Sequence, residues 1–173
     1  MSSVFVSVGT TKFDDLVRTI LSEEFLTALK SKAYTQLVIQ FGNSRLPSLA
    51  HLEEISPDEY SYGRLSIQLY KFKSSLAQDL RESDLFISHA GAGSILEVLE
   101  FQIPCIVCVN ERLMDNHQAE LADHLDQLGH IVRSTPQTLL GVFNSFDPNS
   151  VKPWIREQSN PFGEIVELTL GFK

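Results

Sequence analysis

The segment Leu85–Glu97 limits the possible folds most, because an apolar strand runs directly into a turn of small residues that opens a helix. Gly91, Ala92 and Gly93 leave room for a ligand to approach the backbone. The free N–H groups and the positive dipole end of the following helix favour a phosphate at this turn. The segment therefore predicts a strand–turn–helix unit of an α/β domain, with an anion site at the start of its helix.

Polar side chains flank the same turn. His89 stands at the carboxyl end of the predicted strand, which is where open parallel sheets bind their ligands. Glu97 lies one turn into the helix, where its carboxylate can accept hydrogen bonds from sugar hydroxyls. In an alternative interpretation, Ser94 and Glu97 form only a capping box and the glycines serve a tight turn. The local sequence leaves both interpretations open.

Apolar strands alternate with helical patterns along the chain, which is typical of a parallel sheet covered by helices. Strands are predicted at Val4–Val8, Gln36–Gln40, Leu65–Tyr70, Leu85–Ser88, Ile103–Val109 and Ile131–Arg133. Helices are predicted at Phe13–Leu21, after a cap at Ser74, and at Leu121–Leu128. The predicted fold class is therefore α/β, with a Rossmann-like open parallel sheet flanked by helices.

Two local features complete this prediction. Thr11 with Asp14 fits a capping pair for the first helix. The stretch Arg45–Gly63 is polar and rich in turn residues, so we expect an irregular connection with one short helix near Leu49–Glu54. The sequence contains no internal repeats and no low-complexity tracts.

The chain of 173 residues is long enough for one domain. Prolines break up its last part, so we predict a Rossmann-like domain at 1–148 and a C-terminal tail at 149–173. Apolar residues in the tail predict a short helix from Phe162 to about Leu170. Such a short helix packs either on its own domain or on a partner chain, and the sequence leaves both open.

Composition argues against several classes of partner. The formal charge of −8 argues against nucleic acid, because phosphate backbones are bound by basic surfaces. No apolar run approaches the roughly 20 residues of a membrane span. The first residues lack a charged region ahead of an apolar stretch. We therefore expect a cytosolic protein that reaches a membrane only through a partner.

Cys105 and Cys108 form a C-x-x-C pair of the kind found in redox and zinc sites. They lie in a predicted buried strand, where positions three apart point to opposite faces. The two sulfurs should then not meet, and two buried thiols are expected. The histidines at positions 117, 124 and 130 have no acidic or thiol partner at ligand spacing, so we expect no metal site.

Loops rich in small residues follow three predicted strands, at Gly9–Thr11, Gly42–Ser44 and His89–Ser94. A polar segment, Asn110–Gln118, follows the fifth strand. The carboxyl ends of parallel strands share one edge of an open sheet, where ligands bind. We therefore expect these loops to converge on one site, although polar loops are general at this edge and do not by themselves identify the ligand.

A dinucleotide site is the first competing interpretation. Gly91 and Gly93 match the start of G-x-G-x-x-G, and Glu111 follows about 20 residues on, where a ribose-binding acid is expected. The third glycine position is Leu96, however, and the unit lies late in the chain. No Gly-Lys-Ser/Thr follows, which excludes a P-loop. Nicotinamide chemistry is therefore disfavoured.

Four ordered stretches of the chain resemble a family of nucleotide-sugar transferases: Phe5–Val17, Ile39–Gly42, Ser83–Glu97 and Ile106–Gln118. The family comprises the donor-binding subunits of the eukaryotic UDP-N-acetylglucosamine transferases that make dolichol-linked chitobiose. The resemblance extends from about Val4 to His130, with a weaker match in the tail. It implies the C-terminal half of a GT-B glycosyltransferase fold, similar to that half of the bacterial enzyme making the lipid-linked peptidoglycan precursor.

The resemblance implies a donor site at the glycine turn. His89 matches the histidine that opens the His-x-Gly-x-x-Ser-x-x-Glu stretch of nucleotide-sugar transferases, and it should donate to the diphosphate. The same match implies that Gly91–Ser94 supply backbone and hydroxyl donors to that group, and that Glu97 holds the ribose hydroxyls. These implied roles agree with the interpretation from the residues themselves.

Two further segments receive roles from the resemblance. Asn116, His117 and Gln118 match the polar segment that reads the hydroxyls of the sugar. For His117, a solvent-facing position at a helix start is the alternative. The other implied contacts, with the diphosphate or the acceptor, are Gly9, Thr10 and Thr11.

The resemblance also implies a reaction and its partners. N-acetylglucosamine would pass from UDP-GlcNAc to dolichol-diphosphate-linked GlcNAc by inverting displacement, the second step of lipid-linked oligosaccharide assembly for N-glycosylation. A membrane-anchored acceptor-binding subunit would supply the other half of the fold and recruit this chain from the cytoplasm to the cytosolic face of the endoplasmic reticulum membrane. No cofactor is expected, and no general base is assigned in this chain.

Two other functions stay open at this point. A two-subunit transferase of exopolysaccharide assembly would share the site and carry another sugar. A non-catalytic scaffold with a nucleotide-sugar-binding fold would bind the donor without turnover. Competition between donor sugars separates the exopolysaccharide enzyme from the expected function. Activity after reconstitution with the acceptor subunit separates the non-catalytic scaffold from it.

Overall fold

Eight strands and six α-helices account for most of the residues that the structure describes. The structure, a computed structural model, describes residues 2–111 and 116–155, without the side chains of Asn116 and His117. Its strands are β1 (Ser3–Ser7), β2 (Gln36–Gln40), β3 (Glu53–Ser56), β4 (Glu59–Tyr62), β5 (Leu65–Tyr70), β6 (Leu85–Ser88), β7 (Cys105–Cys108) and β8 (Val132–Ser134). Its helices are α1 (Asp14–Ile20), α2 (Glu23–Ser31), α3 (Ala77–Arg81), α4 (Ala92–Glu100), α5 (Asn116–Leu128) and α6 (Leu139–Ser145), and a 3-10 turn covers Pro148–Ser150.

The sheet is parallel through its centre and antiparallel at one edge. Its strand order is β3-β4-β5-β2-β1-β6-β7-β8. Strands β5, β2, β1, β6, β7 and β8 pair in parallel, whereas β3 and β4 form an antiparallel hairpin against β5. The carboxyl ends of the six parallel strands therefore lie along one edge, and the predicted α/β class with a Rossmann-like parallel sheet is confirmed.

Helices cover the two faces of the sheet and bury one apolar core on each. The first core lies against α1, α2 and α6, and the second core lies against α3, α4 and α5. Along β1, Val4 and Val6 belong to the first core and Phe5 to the second. This period of two is what a strand buried on both faces requires.

Cys105 and Cys108 follow the same alternation on β7. Both are free and fully buried, Cys105 in the second core and Cys108 in the first. The prediction of two buried thiols that do not meet is therefore confirmed. Burial raises the pKa of both thiols far above the ordinary range for cysteine, so they stay protonated at neutral pH.

The stretch after β2 contains a hairpin where the sequence predicted a short helix near Leu49–Glu54. β3 and β4 are joined at Pro57 and Asp58, and Asp58 has a left-handed φ of 64°. Tyr60 and Tyr62 of β4 pack against the first core while β4 pairs with β5. The helix prediction is wrong because strand pairing and the burial of these rings outweigh weak local propensities.

The predicted capping pair at the start of the first helix is also wrong. Helix α1 begins at Asp14 with Phe13 at its N-cap, and no side chain caps it. The Thr11 hydroxyl donates to the Val8 carbonyl oxygen at 2.7 Å instead. Asp14 Oδ1 accepts from the backbone N–H of Arg45 at 2.8 Å. Thr11 therefore closes its own turn and Asp14 holds the loop after β2, so neither side chain caps the helix.

Two helices were not predicted, and a third starts later than predicted. Helices α2 and α6 meet through Phe25 and Phe143, whose ring centroids lie 4.9 Å apart. Ser22 caps α2 by accepting from the backbone N–H of Phe25 at 3.3 Å. Helix α3 begins at Ala77, so Ser74 does not cap it. These helices complete the cover over the sheet on both faces.

The tail packs on the domain as far as the structure describes it. Val151 contacts the first core and Trp154 contacts the second. The predicted helix Phe162–Leu170 lies outside the described residues, and the domain boundary at residue 148 stays a prediction. No helix in the described ranges is both long enough and apolar enough to cross a membrane.

Candidate functional site

The turn between β6 and α4 holds a strained residue at the centre of the candidate site. Ala90 is fully buried and has a left-handed φ of 71°, a conformation that costs an L-residue about 1–2 kcal/mol. Gly91 follows as the N-cap of α4, and no side chain caps this helix. Strain of this kind persists where surrounding contacts hold the backbone, which is common at ligand sites.

The N-terminus of α4 offers unpaired backbone donors. The first helical hydrogen bond runs from the Ile95 N–H to the Gly91 carbonyl oxygen at 3.0 Å. The N–H groups of Ala92, Gly93 and Ser94 meet no acceptor within the described part of the chain, and the first turn contains no acidic residue. This helix end therefore combines free donors with a positive dipole, an arrangement that suits a phosphate.

The capping-box interpretation of Ser94 and Glu97 is wrong. Helix α4 begins at Ala92, so Ser94 occupies the third helical position rather than the cap. Gly93 and Glu97 are both exposed and lie one turn apart on the same helix face. No atom lies within 4 Å of the position that a Cβ at Gly93 would take. A ligand resting on the turn therefore has open space toward the Glu97 carboxylate.

His89 is held by one carbonyl oxygen of β1. Its backbone N–H and its Nδ1 both lie 3.2 Å from the Ser7 carbonyl oxygen. Because a carbonyl oxygen only accepts, Nδ1 carries a proton and the neutral ring keeps its lone pair on Nε2. Burial lowers the pKa of His89, an effect that the bond to Ser7 opposes only in part. The ligand-free site therefore presents a neutral imidazole.

Two glycines from different loops make room for this ring. A Cβ at Gly9 would lie 2.7 Å from Cε1 of His89, and a Cβ at Gly91 would lie 2.7 Å from Cε1 and 2.8 Å from Nε2. All three distances are shorter than any ordinary contact between non-bonded atoms. Gly9 also has a left-handed φ of 62°. The two glycines are therefore needed for the imidazole itself, before any ligand is considered.

The Gly9–Thr11 turn is tied to the loop after β2. Asn43 donates from its side-chain amide to the Thr10 carbonyl oxygen at 3.0 Å, and its backbone N–H donates to the Thr11 carbonyl oxygen at 3.3 Å. A Cβ at Gly42 would lie 2.5 Å from the Gly9 carbonyl oxygen. The predicted convergence of the three glycine loops is therefore confirmed, and the side chains of Thr10 and Thr11 are exposed there.

The residues of the fourth segment are described only in part. Gln118 lies in the first turn of α5 and is exposed. Residues 112–115 and the side chains of Asn116 and His117 lie outside the described part of the chain. The contact of these three residues with the sugar therefore stays a prediction.

Sequence reasoning missed two residues of this edge. Ala90 gives no warning in the sequence, because alanine seldom adopts a left-handed φ. Gln40 is 2% exposed, and its side chain forms hydrogen bonds with Ser7, Gly9 and Lys71. The signal that could have found Gln40 is a polar residue at the carboxyl end of a strand with an apolar centre. Within the described ranges, no group of three metal-ligating side chains is close enough to share an ion.

The sequence matches the glycosyltransferase family 28 C-terminal domain over residues 3–156. The chain belongs to this family. The family 28 match covers both loops that surround His89 and the whole of α4.

Several known relatives of this family 28 chain carry one name. It is 40% identical over 139 residues to the human UDP-N-acetylglucosamine transferase subunit ALG13, a match that covers 80% of this chain and 11% of the human protein. It is 31% identical over 193 residues to the Saccharomyces cerevisiae subunit of the same name, covering 97% of this chain and 96% of that one. The chain thus spans a small part of the human relative and nearly all of the yeast relative.

Solved structures agree with the assignment of the chain to family 28. An NMR solution structure of ALG13 superposes with a TM-score of 0.69 at 29% identity, covering 95% of this chain and 94% of that chain. The crystal structure of Acinetobacter baumannii MurG superposes with a TM-score of 0.60 at 18% identity, covering 98% of this chain and 45% of that chain. The likeness to MurG concerns the fold alone. With the family 28 C-terminal domain match, it confirms the predicted fold, the C-terminal half of a GT-B fold.

Proposed function

We propose that this chain is the donor-binding subunit of an enzyme that transfers N-acetylglucosamine from UDP-GlcNAc. One observation carries the proposal: the uncapped N-terminus of α4, with its free donors, lies beside a half-buried histidine whose ring is oriented by Ser7. A diphosphate is the group that such an arrangement suits. The shared name of the relatives supports UDP-GlcNAc as the donor.

The diphosphate is assigned to the N–H groups of Ala92–Ser94 and to His89. Since Nδ1 of His89 already donates to Ser7, Nε2 donates to a phosphate only after it takes up a proton. The charge of the bound diphosphate favours that proton by raising the pKa of the imidazole. We therefore refine the role of His89: it binds the donor as an imidazolium, and binding takes up a proton near neutral pH.

The ribose is assigned to Glu97. Its exposed carboxylate follows the open position at Gly93 on the same face of α4. A carboxylate can accept hydrogen bonds from two neighbouring hydroxyls, one on each oxygen. Sugar recognition by Asn116, His117 and Gln118 completes the proposed donor contacts.

The reaction is proposed to be an inverting displacement at the anomeric carbon. The acceptor hydroxyl attacks while the bond to UDP breaks, and negative charge grows on the diphosphate as it leaves. The dipole of α4 and its N–H donors stabilise that charge more in the transition state than in the bound donor. In this proposal the proton of the acceptor goes to a general base outside the described residues.

The acceptor side is proposed to come from a second subunit. We infer a membrane-anchored partner that binds dolichol-diphosphate-linked GlcNAc and recruits this chain to the cytosolic face of the endoplasmic reticulum membrane. The word subunit in the names of the relatives supports this inference.

A reconstituted transfer assay tests the proposal. The chain, alone or with an acceptor-binding subunit in membranes, is given radiolabelled UDP-GlcNAc and a lipid-diphosphate-linked GlcNAc. We expect transfer only with both components, and competition by unlabelled UDP-GlcNAc but not by UDP-glucose. Donor binding without transfer would favour a non-catalytic scaffold. Transfer of a different sugar would favour an exopolysaccharide enzyme.

A further inference from the structure

We infer that Gln40 is a positioning residue of the donor site, which holds the Gly9 turn against the imidazole of His89. The inference rests on the proposed donor-binding function. Gln40 is the last residue of β2, and it is not among the residues proposed to contact the donor. Its effect passes through the backbone of its neighbours rather than through contact with substrate.

All four hydrogen-bonding positions of the Gln40 amide are used. Oε1 accepts from the Ser7 hydroxyl at 2.7 Å and from the Gly9 N–H at 2.9 Å. Nε2 donates to the carbonyl oxygens of Gly9 at 2.7 Å and Lys71 at 2.8 Å. The amide therefore binds both the N–H and the carbonyl oxygen of Gly9. Among the natural side chains of this length, only glutamine supplies two hydrogen-bond donors and two acceptor positions.

The Gly9 backbone lies directly beside the imidazole ring of His89. Gly9 has a left-handed φ, and a Cβ there would meet the imidazole at 2.7 Å. The ring therefore lies so close to the Gly9 backbone that the position of this turn sets the space available to the ring. Since Gln40 is 2% exposed, its four bonds are shielded from competing water.

Ser7 provides a second path from Gln40 to His89. Its hydroxyl donates to Oε1 of Gln40, and its carbonyl oxygen accepts from Nδ1 of His89. The residues Ser7 and Gln40 are direct partners in the register of β1 and β2. The bond that selects the protonated nitrogen of His89 therefore depends on a residue that Gln40 holds.

The bond to Lys71 extends the arrangement to a third strand. Gln40 and Tyr70 are register partners in β2 and β5, and Lys71 is the residue after β5. One amide thus joins the carboxyl ends of β1, β2 and β5. These hydrogen bonds explain why a polar side chain is buried at the end of β2.

The test compares the same substitution at the two ends of β2. Gln40→Met removes the amide at nearly constant volume, and Gln36→Met is the matched control on the same face of the strand. Gln36 is half-buried, and its side chain makes no hydrogen bond within the described part of the chain. We expect Gln40→Met to weaken UDP-GlcNAc binding by about tenfold or more, and Gln36→Met by less than about twofold.

Nitrogen NMR of the His89 ring supplies a readout that general destabilisation does not move. We expect the wild type and Gln36→Met to show only the Nδ1–H tautomer. In folded Gln40→Met we expect a mixture of the two neutral tautomers, because the amide of Gln40 no longer holds Ser7 and the Gly9 backbone in place. A folded Gln40→Met that keeps the single tautomer and its donor affinity would overturn the inference.

Hydrogen exchange in the wild type keeps the test valid if Gln40→Met does not fold. The Gly9 amide should exchange slowly although its turn is partly exposed, because it donates to Oε1 of Gln40 at 2.9 Å and to the Ser7 hydroxyl oxygen, which Gln40 itself holds, at 3.1 Å. Exchange at the rate of an unprotected glycine would contradict the inference. A wild type that does not bind UDP-GlcNAc would refute the proposed function, while the exchange and tautomer results would still decide the role of Gln40.

Discussion

Strands β6 and β7 are neighbours in the sheet, and each carries residues that are common in catalytic or metal sites. On β6 the histidine and glycines follow the last residue of the strand, where the backbone turns and donors are left free. On β7 the two cysteines lie within the strand, and each is buried in a different core. On these two strands, reactive residue types are therefore open to a ligand where the strand has ended and closed to it where the strand is buried.

The difference follows from the geometry of a strand covered on both faces. Every side chain inside such a strand enters a core, and burial raises the pKa of a thiol until it is inert. At the carboxyl end, the next backbone groups have no ladder partner and the sheet edge is open. Variants on the two strands should therefore differ strongly in their effect on donor binding.

The largest effect is expected from Gly9→Ala. The new Cβ would combine a left-handed φ with a 2.7 Å approach to Cε1 of His89. We expect a loss of about 2–5 kcal/mol in the free energy of unfolding and loss of measurable UDP-GlcNAc binding. Urea unfolding and calorimetric titration measure the two quantities.

Gly141→Ala is the matched control for that variant. Gly141 lies in α6, and a Cβ there would meet no atom within 4 Å. Replacing a helical glycine by alanine should stabilise the fold by about 0.5–1 kcal/mol. Equal stability and equal donor affinity in Gly9→Ala and wild type would show that the site does not need this close approach.

A pH dependence of donor affinity is the next largest effect. Burial lowers the pKa of His89 in the free protein, and the bound diphosphate raises it. Affinity for UDP-GlcNAc should then be highest below the lower pKa and fall as pH rises through the window between the two, by at most about tenfold per unit. Calorimetry in buffers of different ionisation enthalpy should detect the uptake of one proton.

The pH effect has its own control in His89→Gln. This variant should bind the donor weakly and with little change between pH 5 and 8.

The lowered pKa of His89 has the opposite consequence for the stability of the ligand-free wild type. The free energy of unfolding should fall as pH drops below the ordinary histidine value, because the unfolded chain takes up the proton first. Donor affinity that is flat with pH in the wild type would remove the imidazolium from the proposal.

A smaller effect is expected from Glu97→Gln. Loss of the charged acceptor should weaken donor binding by about tenfold, through hydrogen bonds to the ribose. Stability should change by less than about 0.5 kcal/mol, because the side chain is exposed and caps no helix. Glu100→Gln, on the last turn of the same helix, should leave donor affinity unchanged. An equal effect of the two variants would leave only net charge as the cause.

The smallest effect is expected at the two cysteines. Neither Cys105 nor Cys108 should react with iodoacetamide in the native protein, and both should react in urea, because burial keeps them protonated and inaccessible. Oxidant should leave UDP-GlcNAc affinity unchanged. A disulfide between them, detected by mass spectrometry of the native protein, would contradict their placement in separate cores.

Much of the fold was predictable because buried parallel strands leave strong patterns. All six parallel strands were predicted to within one or two residues. The helix before Gly129, whose φ is 81°, was predicted with the correct end, but it begins at Asn116, five residues before the predicted start. The hairpin at Glu53–Tyr62 was not predicted. Its strands are short and polar, and they are set by pairing with β5 and by two tyrosine rings, which local spacing does not reveal.

The site was predictable in outline and not in its supporting contacts. Small residues after a strand indicated the turn around His89 and its closeness to the Gly9 loop. The strained Ala90 and the buried amide of Gln40 depend on contacts between loops that are far apart in sequence. The spacing of Ser94 and Glu97 fits two structures equally, and only the observed start of α4 at Ala92 decides between them.

One measurement tests the central claim most directly: titration of the isotope-labelled chain with UDP-GlcNAc, followed by backbone amide NMR. The proposed site predicts large downfield shifts at Ala92, Gly93 and Ser94, where free N–H groups gain phosphate acceptors, with smaller changes at Gly9 and none at Cys105. The shifts should saturate with one affinity and disappear in Gly9→Ala. Binding that leaves the first turn of α4 unshifted, or no binding at all, would contradict the account.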